Sequence, residues 1–418
     1  MKQTATIIST YAADISGICS AMYELGGMTV MHDASGCNST YNTHDEPRWY
    51  DMDSLVFISG LSETEAILGD DDKLINDTVA AANALNPKFI TLGGTPIPMM
   101  IGTDFEAVAY QIENETGITT FGLNTDGMHS YISGASKAFA ALAQRICRKD
   151  VPKDEKLSVN ILGATPLDFS VNGSIKAMKQ ALQSHGIEVH SVWAMGTEYE
   201  YDTNSCSESK CQSLTGEAAK AAADKLFYQI ETSSVAHVNL VVSACGLKAA
   251  RILQQRFGMP YVIGTPYGTK FIEKVAESIK TAAQTGMNKN IFNDMFNNLT
   301  NDAGNDIIII GESITSRSFA SALYLETGKH AKVLCGVDSD DEVLSEQCVL
   351  AVDEAEIIPY LAKAKMIIAD PMYRLICPKN TVFVALPHEG FSGRIYRDQI
   401  PQLVSGFEKF IEKAGLDL

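Results

Sequence analysis

An α/β fold on parallel sheets is predicted by three features of this sequence: short apolar runs that recur along the chain, a glycine, serine or proline turn after each, and a helical pattern after the turn. The runs are Thr29 to Met31, Leu55 to Ile58, Phe89 to Leu92, Ile118 to Phe121, Val159 to Leu162, Val238 to Val242, Ile307 to Ile310, Lys332 to Leu334, Met366 to Ala369 and Val382 to Leu386. Amphipathic helices are expected over Asp70 to Leu85, Ser133 to Arg148, Gly173 to Ser184, Gly246 to Phe257, Ser316 to Thr327 and Gln402 to Lys413. Strand followed by helix, many times over, makes the strands parallel, because a helical crossover carries the chain back to the edge where the next strand starts.

Two breaks divide the pattern. Arg148 to Lys156 is a charged, proline-bearing connector ahead of a new strand, and Thr285 to Asn305 is polar and asparagine-rich ahead of the strongest strand, Asp306 to Ile310. Three Rossmann-like α/β domains are therefore expected, over residues 1–150, 151–300 and 301–418, within the range that 418 residues allow. Neither G-x-G-x-x-G nor G-x-x-x-x-G-K-[ST] occurs. Gly264 to Lys270 comes nearest, and its spacing cannot form a phosphate loop. The chain is expected to hold no ATP site, so any ATP use belongs to another chain.

Composition narrows the partners. The net charge is -18, with no run of lysine and arginine forming a basic stripe, so neither a nucleic acid nor an anionic membrane is expected. No stretch reaches the roughly 18 apolar residues of a membrane span, and the start MKQTATIIST lacks the apolar core of a signal peptide, so a cytoplasmic location is expected. Nine cysteines in a chain of this length are no disulfide scaffold; they read as free thiols plus one or two ligands.

Cys37 is the first candidate ligand. It follows the Thr29 to Met31 strand and an Ala34 to Gly36 turn, at the sheet edge where open α/β folds place ligands, among His32, Asp33, Ser35, Asn38 and Ser39. It reads either as a metal or cluster ligand or as a small buried hydrophobe. Cys245 lies between the strand Asn239 to Ser243 and a helix from Gly246, where a helix N-terminus is expected to lower a thiol's pKa; ligand and plain packing both remain open. Cys206 and Cys211 form a C-x4-C pair in a polar loop and read as unliganded thiols, while Cys19, Cys147, Cys335, Cys348 and Cys377 read as core. After the last strand, His388 to Arg394 forms a glycine-containing loop that either holds a substrate carboxylate or phosphate against Arg394 or is a satisfied loop with a solvated arginine. No G-x-S-x-G elbow supports a serine hydrolase.

Taken in order, Asp14-Ile15-Ser16-Gly17 before a helix, the His32 to Cys37 turn, Ser59-Gly60-Leu61-Ser62-Glu63 with Leu68-Gly69, Gly94-Thr95-Pro96 running to Ile101-Gly102-Thr103-Asp104, Arg256 to Pro260 and Gly390-Phe391-Ser392-Gly393 resemble the nitrogenase component 1 family. That family comprises molybdenum-iron protein subunits, their cofactor-assembly scaffold relatives, and the dark-operative protochlorophyllide and chlorophyllide reductases. The resemblance covers most of the chain and implies an oxidoreductase subunit of three α/β domains in a hetero-oligomer. It implies a homologous component 1-like partner, a 4Fe-4S cluster at the subunit interface, a small-molecule substrate, and electrons from a separate ATP-hydrolysing iron-sulfur reductase. The glycines of the matching turns, Gly36, Gly94, Gly390 and Gly393, are the implied points of backbone approach to a bound group.

The departures from the family pattern are specific. Members with a full cluster site supply three cysteines from the first domain. Cys37 matches the second, while Ala13 and Pro96 fall where the first and third are expected; one reductase subunit in the family uses an aspartate ligand, so the resemblance allows Asp14 or Asp33 as a substitute. Cys245 falls near the cysteine that holds the large cluster of cofactor-bearing subunits, and Asn380 falls where the matching histidine is expected, so dinitrogen fixation is not expected. Two functions follow: a reductive subunit contributing Cys37 to a cluster held mainly by its partner, or a redox-inactive scaffold or small-molecule-binding subunit. A metal-free α/β enzyme is the third, with His32, His388 and Glu389 at strand ends as its candidate bases.

Overall fold

The computed structural model describes residues 10–34, 36, 45–149, 151–196, 215–296 and 306–416. Among them, strands form three sheets, and every pairing within a sheet is parallel. The first contains β1 (Met28–His32), β2 (Leu55–Ile58), β3 (Ile90–Gly94) and β4 (Thr120–Leu123), in the order β2-β1-β3-β4. The second contains β5 (Ser158–Ala164), β6 (Glu188–Ala194), β7 (Val238–Val241), β8 (Tyr261–Ile263) and β9 (Lys289–Asn290), in the order β6-β5-β7-β8-β9. The third contains β10 (Ile307–Gly311), β11 (Lys332–Cys335), β12 (Cys348–Leu350), β13 (Met366–Ala369) and β14 (Val382–Ala385), in the order β12-β11-β10-β13-β14.

The expected α/β class of three parallel sheets is what the chain forms. Four strands lie outside the apolar runs, and each has a physical reason. β6, β9 and β12 are sheet edges, where one flank needs no apolar neighbour, and β8 is only three residues long. Asp14 to Gly17, expected ahead of a helix, is instead the first turn of the helix Asp14–Met22. The stretch Thr285 to Asn305, read as a connector, carries β9 and the helix Ile291–Phe296, so part of it completes the second sheet; residues 297–305 lie outside the described residues.

One close helix crossing fixes the first domain, and two contacts tie the domains together. The helix Asp14–Met22 crosses the helix Tyr131–Arg145 at backbone contact: a Cβ on Gly17 would lie 2.0 Å from the Tyr131 carbonyl oxygen, and one on Gly134 would lie 1.7 Å from that of Asp14. Only glycine fits at either position. Buried Arg48 ties the first domain to the second. Its Nε donates to Glu46 at 2.6 Å, Nη1 to Glu24 at 3.0 Å and to the Ala194 carbonyl at the end of β6, and Nη2 to the Ser20 carbonyl. Ser20 Oγ donates to Glu46, and the Gly196 amide donates to Glu24, so both carboxylates are bonded on both oxygens. The last helix, Leu403–Lys413, sets Phe407 edge-on to Phe319 with centroids 5.0 Å apart and against Gly268, clasping the third domain to the second. Among the described residues, no helix is long and apolar enough to cross a membrane.

Candidate functional site

In open parallel sheets the carboxyl ends of the strands, at the point where strand order reverses, form the natural ligand crevice. In the second sheet that point lies between β5 and β7, which lead to Thr165 and Asp168 on one side and Ser243 and Cys245 on the other. In the third it lies between β10 and β13, which lead to Glu312 and Asp370, with His388 following β14. The first domain adds Tyr131, at the start of its long helix.

These groups meet at one buried junction. Tyr131 donates its hydroxyl to Asp168 Oδ1 at 2.5 Å, and Thr165 Oγ1 donates to Oδ2 at 3.1 Å. His388 Nδ1 accepts the Gly390 amide at 3.1 Å, which assigns the ring proton to Nε2. That Nε2 lies 3.4 Å from Asp168 Oδ1, is buried, and makes no hydrogen bond. Asp370 holds the loop, accepting the His388 amide and the Ser392 hydroxyl on Oδ2. Glu312 caps the helix Ser313–Thr327 through the Ile314 and Thr315 amides and also accepts the Ala244 amide at 3.1 Å. Burial, reinforced by Asp168, raises its carboxyl above the ordinary range. Tyr131 is pushed up by burial and by the same two carboxylates.

The cavity beside Asp168 and His388 measures about 50 Å³, with Tyr267, Gly311, Thr315 and Phe319 in its walls. That is room for a few water molecules. A ligand of metabolite size enters only if the domains part, since the walls come from different domains.

Cys245 corrects an expectation. Its thiol was expected to be lowered by a helix N-terminus, yet burial and then Asp168 push it well above the ordinary thiol range. Full burial beside carboxylates outweighs the dipole, and the sulfur rests 3.4 Å from Ser243 Oγ. The Arg394 side chain is 55% exposed and 3.6 Å from Asp45. The inward arginine is Arg397, paired with Glu389 and bonded to the Asp45 carbonyl. Burial nevertheless lifts Glu389 to about 7, and its Oε2 has no hydrogen bond.

The remaining expected positions are occupied as follows. Gly390 lies against Tyr131, where a Cβ would approach the ring to 2.5 Å, and Gly393, at φ +59°, lies against Tyr11. Gly94 bonds Thr125 through both its amide and its carbonyl, and a Cβ there would strike Phe105 at 2.4 Å. Asn380 is exposed in a turn before β14, away from the junction that His388 enters. His32 is held by Ser59 at 2.8 Å, and burial lowers it to about 4, which leaves it neutral and weakly basic. Asp33 is buried and accepts the Ala34 amide; Gly36 is exposed. Cys37, Cys206 and Cys211 lie outside the described residues.

The implied cluster can be tested at Ala13 and Pro96. Gly127 abuts Pro96, and its amide donates to Asp14 Oδ1 at 2.9 Å, so the two positions share one surface. Asp14 Oδ1 also accepts the Ile15 amide and Oδ2 the Asp126 amide, which leaves it a buried structural acceptor. Asp14, Asp126 and His129 place one ligand atom each within 4.8 Å of one another, and no cysteine among the described residues joins them. Iron-sulfur clusters are held by thiolates. This oxygen-rich set does not fit one.

Three parallel-sheet α/β units meeting at a polar junction define the fold class. The chain belongs to the nitrogenase component 1 type oxidoreductase family, which matches residues 25–358. It is 26% identical over 219 residues to the nitrogenase iron-molybdenum cofactor biosynthesis protein NifE of Clostridium pasteurianum, covering 51% of this chain and 40% of that protein. It is 32% identical over 117 residues to one of the light-independent protochlorophyllide reductase subunits of Leptolyngbya boryana, covering 28% and 18%. The chain thus matches half or less of the length of these relatives. A solved nitrogenase structure, Cp1 at pH 6.5, superposes with a TM-score of 0.67 at 15% identity, covering 100% of this chain and 94% of the other, a likeness of fold.

Sequence reasoning missed Tyr131, Asp168, Glu312 and Arg397. For Asp168 and Glu312 the signal was present, since each closely follows a strong strand; for Tyr131 and Arg397 no local signal exists, because only tertiary packing turns them inward.

Proposed function

We propose that this chain is a binding and assembly subunit of a nitrogenase-like complex, holding a small molecule or cofactor at the three-domain junction, with a homologous component 1-like chain as its partner. One observation carries the reading: Asp168 and His388, from different domains, line one cavity, with Tyr131 of the first domain bonded to Asp168 behind it, and the buried His388 Nε2 donor has no hydrogen-bond acceptor. Native structures pair buried polar atoms, so an orphan donor facing a cavity points to a partner supplied from outside. Asp168, on the same cavity wall, offers an acceptor to a donor of that ligand. Ala13 and Pro96, in place of thiolates, support a role without cluster chemistry in the first domain, and the relatives named for cofactor biosynthesis support an assembly role.

The second reading is a reductase subunit that receives electrons from a separate ATP-hydrolysing iron-sulfur reductase, with Cys37 as one thiolate of a 4Fe-4S cluster shared with the partner. The placement of Cys37 just beyond β1 in the sequence and the likeness to a protochlorophyllide reductase chain favour it.

Co-expression with a homologous chain encoded beside it, followed by anaerobic purification, separates the two. The proposal expects a stable complex whose iron content and absorbance near about 400 nm are unchanged by Cys37→Ala. It also expects a co-purifying small molecule, seen by native mass spectrometry and lost in His388→Ala. Iron that disappears with Cys37→Ala overturns the proposal and establishes the second reading.

A further inference from the structure

At the amino edge of the third sheet, on the far side from the junction, β10 and β11 pair Ile308 with Lys332 beside the helix Glu354–Leu361. Ile308, Lys332, Pro359, Tyr360 and Lys363 line a groove of about 180 Å³ there. Lys332 is only 9% exposed, yet its side chain has no ion-pair or hydrogen-bond partner among the described residues; its ammonium lies 5.3 Å from the Tyr360 ring centroid. The Lys363 side chain is likewise unpaired among the described residues and opens onto the same groove. Neighbouring Lys365 is the reverse case, 78% exposed and paired with Asp306 at 2.7 Å. Lysines are almost never buried without a counter-charge. Here the buried lysine lacks one and the exposed lysine has one, in a chain with 51 acidic residues against 33 basic.

We infer that this groove binds a small organic anion, its phosphate or carboxylate between Lys332 and Lys363 and its apolar body against Tyr360 and Pro359. Two ammonium groups supply charge and several donors without fixed geometry, which suits either anion. The apolar floor of Ile308, Pro359 and Tyr360 favours a ligand with a ring or short chain over a bare ion. The inference is independent of the junction, which lies at the opposite ends of the strands.

Isothermal titration of the full chain at low salt with phenyl phosphate, benzoate and inorganic phosphate tests it, with benzyl alcohol as the uncharged control. Phenyl phosphate or benzoate is expected to bind more tightly than inorganic phosphate. Lys363→Ala, an exposed change that leaves folding intact, is expected to weaken binding about tenfold, and Lys332→Met to weaken it further, since each removes one charge-assisted contact. Whichever of the two organic anions binds more tightly identifies the charged group. Failure of both to bind, equal binding of benzyl alcohol, or affinity unchanged in Lys363→Ala overturns the inference.

Discussion

Around Arg48, one guanidinium meets two carboxylates, and all of its nitrogens and all four carboxylate oxygens have partners. Around Asp168, four carboxylates from two domains, Asp168, Glu312, Asp370 and Glu389, gather with one paired cation, Arg397, and two buried polar atoms lack hydrogen bonds among the described residues. Both clusters join domains, but they are built for different ends. Closed accounting is what a structural tie needs, because every unpaired buried group costs free energy. A cluster that tolerates surplus acid and an orphan donor is kept at that cost, and perturbed groups of this kind collect at functional sites.

The contrast breaks most visibly at Arg48. Arg48→Met strands Glu24 and Glu46 as buried, uncompensated charges and is expected to cost about 3–5 kcal/mol in urea unfolding. A loss no larger than that of a typical surface change would show that the two clusters do not differ as argued.

Glu389 gives the next largest effect, and its sign is fixed. Its native pKa of about 7 lies above the ordinary 4.5, so the folded chain binds the extra proton and stability falls as pH rises through that window. The slope approaches about 1.4 kcal/mol per pH unit. Glu389→Gln is expected to flatten it, read from urea midpoints across the same range. His32, lowered to about 4 from 6.5, acts oppositely: its contribution is present above the ordinary value and lost as pH falls toward about 4.

Asp168→Asn removes one of the clustered acids while keeping a hydrogen-bond acceptor for Tyr131. The thermal midpoint is expected to change by the equivalent of about 1 kcal/mol or less, while the co-purifying ligand of the junction is lost. A large drop in stability with ligand retained would make Asp168 another Arg48-like tie. Smallest of all, Arg394→Ala at its exposed 3.6 Å pair is expected to stay within about 0.5 kcal/mol, whereas Arg397→Ala strands buried Glu389.

The junction was half legible beforehand. Cys245 and His388 were found by the rule that functional groups follow strands, and the same rule, applied to Thr165-Pro166-Leu167-Asp168 and Gly311-Glu312, reaches the two carboxylates. It does not reach Tyr131, which opens a helix and turns inward only because Gly17 and Gly134 let two helices touch. Nor does it reach Arg397: of the two arginines after Gly393, Arg394 is half exposed beside Asp45, while Arg397 pairs with buried Glu389.

What the sequence alone determined is the succession of parallel strands and helices and the family motifs at their turns, since both are short-range patterns of apolar spacing and turn residues. The protonation behaviour of Cys245, the pairing of Arg397 and the solitary Lys332 were decided only by tertiary structure. Burial and the charges packed alongside set those properties, and both come from residues far apart in the chain.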